Sequence, residues 1–528
     1  MTVSDPSTIV DGAEPVHRRY FVTLAGQGVQ LALSLLTATI VPRALGPAVF
    51  GNYNFLLVTS QAFRNVLEPS ADQAFFTFSA QEQRSGPLTR LYALLLAGQF
   101  VLVLAIVGIM AWAGVSGWIW PQQRLDQILW VIAADWAAYL TISLRQLGDT
   151  KGVTSRPQMI ATATSAVGCG ILLVLFLAGD LNFLTFVIVN LFMSVICAAA
   201  LTFLFFSQYY AICFAGTLHG HAGPYLRRWW AYARPLIAYE YYAPIAAYVG
   251  TVLIQRWYGP AEQGLFSLAS RWPGFVVMFT AAATGIVWRE VAIAMHAGNV
   301  ARARDAYVRF DRVLFFVTLV ICVGVAACSR PLVLLGVGPR YSAAIPVLAV
   351  MAFYPLAQTY GQLNVAVLKA SERTGNFSLI SFVVSVPGLM LTYVFLAPPT
   401  ARIPGLGMGA LGMALRTTVY SLLTVQLFEA ATCRLFSLSY RTSLLHKLRA
   451  AAIVSMCGLG LWWLEQTLEA VGAPMIVALM CAGVAYALAI AALVAAWPTV
   501  TGSTRRELQL VMKRVFRSRQ PVAAGVVP

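Results

Sequence analysis

Arg43-Ala-Leu-Gly46-Pro47-Ala-Val-Phe-Gly51 and, 213 residues further on, Arg256-Trp-Tyr-Gly259-Pro260-Ala-Glu-Gln-Gly264 spell one pattern, R-x-x-G-P-x-x-x-G. Each copy lies between two apolar stretches long enough to cross a bilayer, which takes roughly 20 residues. The pattern is that of a tight turn between helices: Gly takes the left-handed position that closes one helix, and Pro, lacking an N–H, suits the first turn of the next. A single such turn says little. A matched pair predicts two homologous six-helix lobes of the same orientation, an arrangement that typically places a substrate site between the halves near mid-membrane. The same offset sets Gln27 against Glu240.

Working outward, the 528 residues are 59% hydrophobic and only 11% charged, with a mean hydropathy of +0.74. Soluble domains carry about 25% charged residues, so the chain reads as an integral membrane protein. Fourteen helical spans are predicted near 21–45, 49–69, 89–115, 127–148, 158–179, 183–206, 231–255, 262–288, 310–336, 342–368, 377–397, 406–429, 450–468 and 474–496. With the N-terminus inside, the inner segments carry 27 of the 36 Lys and Arg residues, the outer segments six, and the spans three. That asymmetry places both termini on the cytoplasmic side. The fold class is therefore all-α and polytopic, with two six-helix lobes and two extra C-terminal helices.

The layout is a tail at 1–19, an N-lobe at 20–206, a linker at 207–230, a C-lobe at 231–430, helices 13 and 14 within 450–496, and a basic tail at 497–528. The inner segment 289–312 interleaves Ala301, Tyr307, Val308 and Phe310 with Arg302, Arg304, Arg309 and Arg312, as an amphipathic helix on the inner surface would. Six basic residues between Arg505 and Arg519 suit anionic lipid heads. The eight cysteines show no C-x-x-C pair, so neither disulfides nor a metal site is expected. Outer loops are short, which argues against an enzyme such as a polysaccharide polymerase or ligase. No G-x-x-x-x-G-K-[S/T] loop is present, which argues against ATP hydrolysis.

The stretch 42–53, PRALGPAVFGNY, resembles the first outer hairpin of the polysaccharide and O-antigen (Wzx-type) flippases of the multidrug/oligosaccharidyl-lipid/polysaccharide exporter superfamily. Residues 335–348, LGVGPRYSAAIPVL, resemble that family's loop before helix 10, and 405–414, GLGMGALGMA, resemble the small-residue start of helix 12. The likeness extends over about residues 20–496. It implies a flippase of the bacterial inner membrane that carries undecaprenyl-diphosphate-linked oligosaccharide for exopolysaccharide, capsule or O-antigen (lipopolysaccharide) synthesis, by alternating access of two lobes. It further implies contact with other assembly proteins and coupling to H⁺ or Na⁺, with no cofactor.

Ionisable groups inside spans are costly and mark function by default. Arg64 lies thirteen residues inward from Gly51, about 20 Å at 1.5 Å per residue, and a guanidinium fork suits a diphosphate. Glu68, four residues on, can equally neutralise it. Arg271 sits seven residues inward from Gly264 and Arg416 near the middle of helix 12, where pairing with a carboxylate or polar backbone competes with substrate contact. Asp135 and Glu240 can bind a coupling ion, or pair with an arginine. Tyr239, Tyr241, Tyr242 and Tyr248, with Tyr354, Gln358, Tyr360, Gln362 and Asn364, give an amphipathic lining for sugar rings if they turn inward. The rival reading is a multidrug or cation antiporter of the same superfamily. Such exporters favour acidic cavities, whereas three intramembrane arginines argue for an anionic headgroup.

Overall fold

The computed structural model describes residues 16–68, 70–82, 84–218, 220–234, 237–371 and 374–498. Among these residues every regular element is helical, and each of the fourteen predicted spans overlaps at least one helix. Nine helices of the described chain are long and apolar enough to cross a membrane, the first of them, Ala25–Leu67, covering two predicted spans at once. The basic segment 505–519 lies outside the described residues.

The two hairpin motifs adopt one conformation. Gly46 breaks the Val16–Leu67 helix at φ 75, ψ 168, and Gly259 breaks Ile237–Ala269 at φ 83, ψ −179. Positive φ is open to Gly without the clash a Cβ would bring, and Pro47 and Pro260 then start the following helix at their fixed φ. Sequence repeat and backbone repeat therefore coincide.

Proline also decides where three other helices stop. Ile237–Ala269, Val300–Ala327 and Ala344–Met351 end four residues before Pro273, Pro331 and Pro355 respectively. A helical proline has no N–H to offer the carbonyl four residues back and crowds that carbonyl with its ring. The predicted continuous span 262–288 is consequently interrupted at Ser270 and Arg271, 310–336 is divided before Ser329–Gly336, and 342–368 before Tyr354–Ala370.

Two further expectations need revision. Residues 301–312 are not a separate surface helix; they form the first turns of Val300–Ala327 and bury Ala303, Tyr307 and Asp311 at four-residue spacing. Their apolar face meets Val287, Val291, Leu363, Val367 and Phe436 in a core cluster. Helix 13 begins at Tyr440, ten residues before its expected start, and so takes Lys447 into the packed interior. Within 207–230 lie the short Tyr210–Cys213 helix and the start of Ala222–Ala233.

The chain divides into two compact units, Met1–Leu268 with Thr392–Met413, and Ala269–Leu391 with Ala414–Pro528. In the first, Leu125–Thr150 packs along Phe183–Gln208 and Val16–Leu67 along Ser155–Ala178. In the second, Trp272–His296 packs along Tyr354–Ala370, and Tyr440–Ala470 along Met475–Ala496 and Val300–Ala327.

Candidate functional site

The two hairpins cross within the first unit, and glycine makes the crossing possible. A Cβ built on Gly51 would fall 1.8 Å from the Pro260 carbonyl oxygen, and one built on Gly264 would fall 2.0 Å from that of Pro47. The relation is reciprocal: the last glycine of each motif meets the proline of the other. Asn52, next to Gly51, accepts from Gln255 Nε2 at 3.0 Å and from Gln123 Nε2 at 2.7 Å, which pins the register. On the second hairpin Tyr258 donates to the Leu396 carbonyl at 2.7 Å, and the Glu262 carboxylate accepts from the Ala410 N–H at 2.7 Å. The small-residue stretch 405–414 is thereby tied to the second motif, and Gly409, whose φ of +55° and closeness to Glu262 disfavour a side chain, opens the Gly409–Leu435 helix.

A buried polar cluster lies deeper in the same unit. Arg64 Nη1 pairs with Asp135 Oδ2 at 3.0 Å, and the Ser60 hydroxyl donates to the same oxygen at 2.8 Å. The guanidinium stacks over Tyr139 at 4.1 Å, with its Nε buried and without a hydrogen-bond partner. Glu68 is held instead by tyrosine: Tyr92 donates to its Oε1 at 2.8 Å, and the Tyr92 and Tyr139 hydroxyls are 3.3 Å apart. Arg64, Glu68 and Asp135 are each at most 9% exposed. The arrangement brings one guanidinium and two carboxyl groups together through hydroxyls in a buried site, where such networks hold helices in a defined register.

The other sequence candidates are distributed as follows. Arg271 is half-buried at the start of Trp272–His296, an electrostatic neighbour of buried Tyr341. Arg416 donates twice to the Gly388 carbonyl, at 3.2 and 3.1 Å, and faces the Tyr420 ring at 5.0 Å. On Tyr354–Ala370 the polar residues divide between two faces. Tyr354, Gln358 and Gln362 recur every four residues on a half-buried face, with Gln358 donating to Tyr354, whereas Tyr360 and Asn364 are buried. Tyr242 is half-buried in the first unit. The side chains of Tyr239 and Glu240 lie outside the described residues. Sequence reasoning missed Ser60, Tyr92 and Tyr139. Of these only Ser60 carried a signal, one helical turn before Arg64 on the same face.

No family model matches the chain, and no curated protein matches it. Solved structures do. The lipid II flippase MurJ in an inward closed conformation superposes with a TM-score of 0.65 at 12% identity, over 90% of this chain and 99% of that one. An inward-facing multidrug resistance MATE family transporter of the MOP superfamily gives 0.59 at 12% identity, over 81% and 100%. A MOP superfamily transporter from Pyrococcus furiosus, described by the reversed polarity of its binding pocket, gives 0.52 at 12% identity, over 79% and 94%. The fold is thus the one these transporters share.

Proposed function

We propose that the chain is a flippase that moves an undecaprenyl-diphosphate-linked oligosaccharide across the bacterial inner membrane for surface polysaccharide synthesis. The observation that carries this reading is the extent of the likeness. The multidrug transporter is matched along its whole length and still leaves about a fifth of this chain unaccounted for, whereas the lipid II flippase accounts for nine-tenths of it. A lipid-linked cargo therefore fits better than a small cationic drug.

In this reading the hairpin crossing is the outer gate. Its glycines let backbone meet backbone with no side chain between, so the closed state is a tight seal held by a few polar bonds, which break together when the two hairpins part. We assign the headgroup contact to Arg271 because a guanidinium fork suits a diphosphate, with the Gln358 and Gln362 face of the neighbouring helix as sugar contacts. Arg64 is already neutralised by Asp135, and Arg416 is engaged with backbone. Their role is to hold helices together or to exchange partners during the cycle.

The test is leaflet accessibility of radiolabelled lipid-linked oligosaccharide in cells depleted of the protein. Inner-leaflet accumulation reversed by the wild-type chain, and not by Arg271→Ala inserted at equal level, is the expected outcome. Unchanged translocation together with accumulation of a cationic dye would replace this reading with drug antiport.

A further inference from the structure

Four helices of the second unit each bring one polar side chain to a single buried point: Asp311 from Val300–Ala327, Tyr360 from Tyr354–Ala370, Glu429 from Gly409–Leu435 and Lys447 from Tyr440–Ala470. The Lys447 ammonium pairs with Asp311 at 3.1 Å and with Glu429 Oε1 at 2.6 Å, and it also donates to the Tyr360 hydroxyl. Ser443 donates to the same Glu429 oxygen at 2.6 Å. None of the four is more than 4% exposed.

Two carboxylates face one ammonium, which leaves one negative charge over. The remaining titratable neighbours do not balance it within the cluster. Tyr307, Tyr440 and Cys433 are neutral in their ordinary forms, and Arg312, an electrostatic neighbour of Asp311, is half-exposed and makes no hydrogen bond to either carboxylate among the described residues. A second observation points the same way. Glu429 is fully buried, yet its Oε2 has no donor. An ionised carboxylate only accepts, and stranding a charged oxygen in a dry interior is far costlier than stranding a neutral one. A sodium ion does not fit, because the Lys447 ammonium occupies the space between the carboxylates where a metal would need several oxygen ligands.

We propose that the Asp311–Glu429 pair is a proton-binding site, holding one proton between two carboxyl groups that Lys447 bridges. Two carboxyl groups that contact one ammonium are electrostatically coupled, so a proton held there belongs to the pair and not to either residue alone. With the proton bound, the cluster is neutral and locks the four helices. Release to water that enters during a conformational change leaves an unbalanced charge at their junction, so occupancy and helix packing are linked whatever the transported molecule. The site is separate from the Asp135 and Glu240 positions.

The full-length protein in phosphatidylcholine vesicles, followed by infrared difference spectroscopy across a pH titration, reads this directly. The wild type should show the C=O stretch of a protonated carboxyl at neutral pH. Glu429→Gln or Asp311→Asn should abolish or displace that band, while Asp126→Asn, at an exposed position, leaves it alone. Lys447→Met, which removes the bridging cation, should roughly double it, since both carboxyls must then be protonated. If the carboxyl variants do not fold, Tyr360→Phe keeps every charge and must still shift the band. A spectrum that is the same in wild type and in all the cluster variants overturns the proposal. Loss of the band on exchanging choline chloride for sodium chloride would overturn it in favour of a sodium site.

Discussion

Replacing Gly51 with Ala should open the hairpin crossing. The added Cβ meets backbone atoms that cannot turn aside: the Pro260 oxygen at 1.8 Å, the Gly264 nitrogen at 2.7 Å and the Pro260 carbonyl carbon at 2.9 Å. Restoring ordinary contact requires the hairpins to part by about 1.5 Å, and overpacking of this kind costs about 1–3 kcal/mol. The same parting stretches the 3.0 Å Asn52–Gln255 bond beyond use. Since about 1.4 kcal/mol is a factor of ten in an equilibrium constant, the closed population should fall by about five- to 150-fold relative to the open one. A cysteine pair at Asn52 and Gln255, whose native side chains already touch, reports closure through the rate of cross-linking by a short bifunctional thiol reagent. Gly51→Ala and Gly264→Ala should each slow that reaction by at least about fivefold. Gly98→Ala, where a Cβ meets nothing within 4 Å, should not. Equal rates in all three backgrounds would show that the crossing is not the closed element and would remove the gate from the mechanism.

Other consequences are simpler. Asp135→Asn strands the buried Arg64 charge, and removing one partner of a buried pair typically costs about 3–5 kcal/mol, so the unfolding midpoint in detergent should drop sharply and be recovered in part by adding Arg64→Met. Glu262→Gln weakens an anionic acceptor at a helix start, worth about 0.3–1 kcal/mol, and hydrogen exchange at the Ala410 amide should accelerate accordingly. Lys151, outside the spans, donates to the Ser79 and Glu82 carbonyls at 2.7 and 2.8 Å, and burial pushes its ammonium below the ordinary lysine value of 10.5. The folded state then binds that proton more weakly than the unfolded chain. Stability should rise with pH through the alkaline window just below 10.5 and stay flat beneath it, and Lys151→Met should remove that slope in a denaturant titration.

The sequence by itself determined the class of fold, because spans of hydrocarbon length are written in composition and a repeated Gly-Pro turn is written in local backbone preference. Gly46 and Gly259 were legible as helix-ending glycines for that reason, and the proline interruptions at Pro273, Pro331 and Pro355 follow a local rule as well. Which charges meet was not legible. Arg64 had a carboxylate one turn away in Glu68, yet it pairs with Asp135, 71 positions along the chain, while Glu68 turns to Tyr92. Lys447 counted as an inner-surface cation by its place between apolar runs, and only the packing of four helices around it made it the centre of a buried cluster. Spacing along one helix fixes which residues share a face, but the partner across the gap is chosen by how helices distant in sequence are docked. In a medium that penalises every unpaired charge, that tertiary choice decides what each ionisable residue can do.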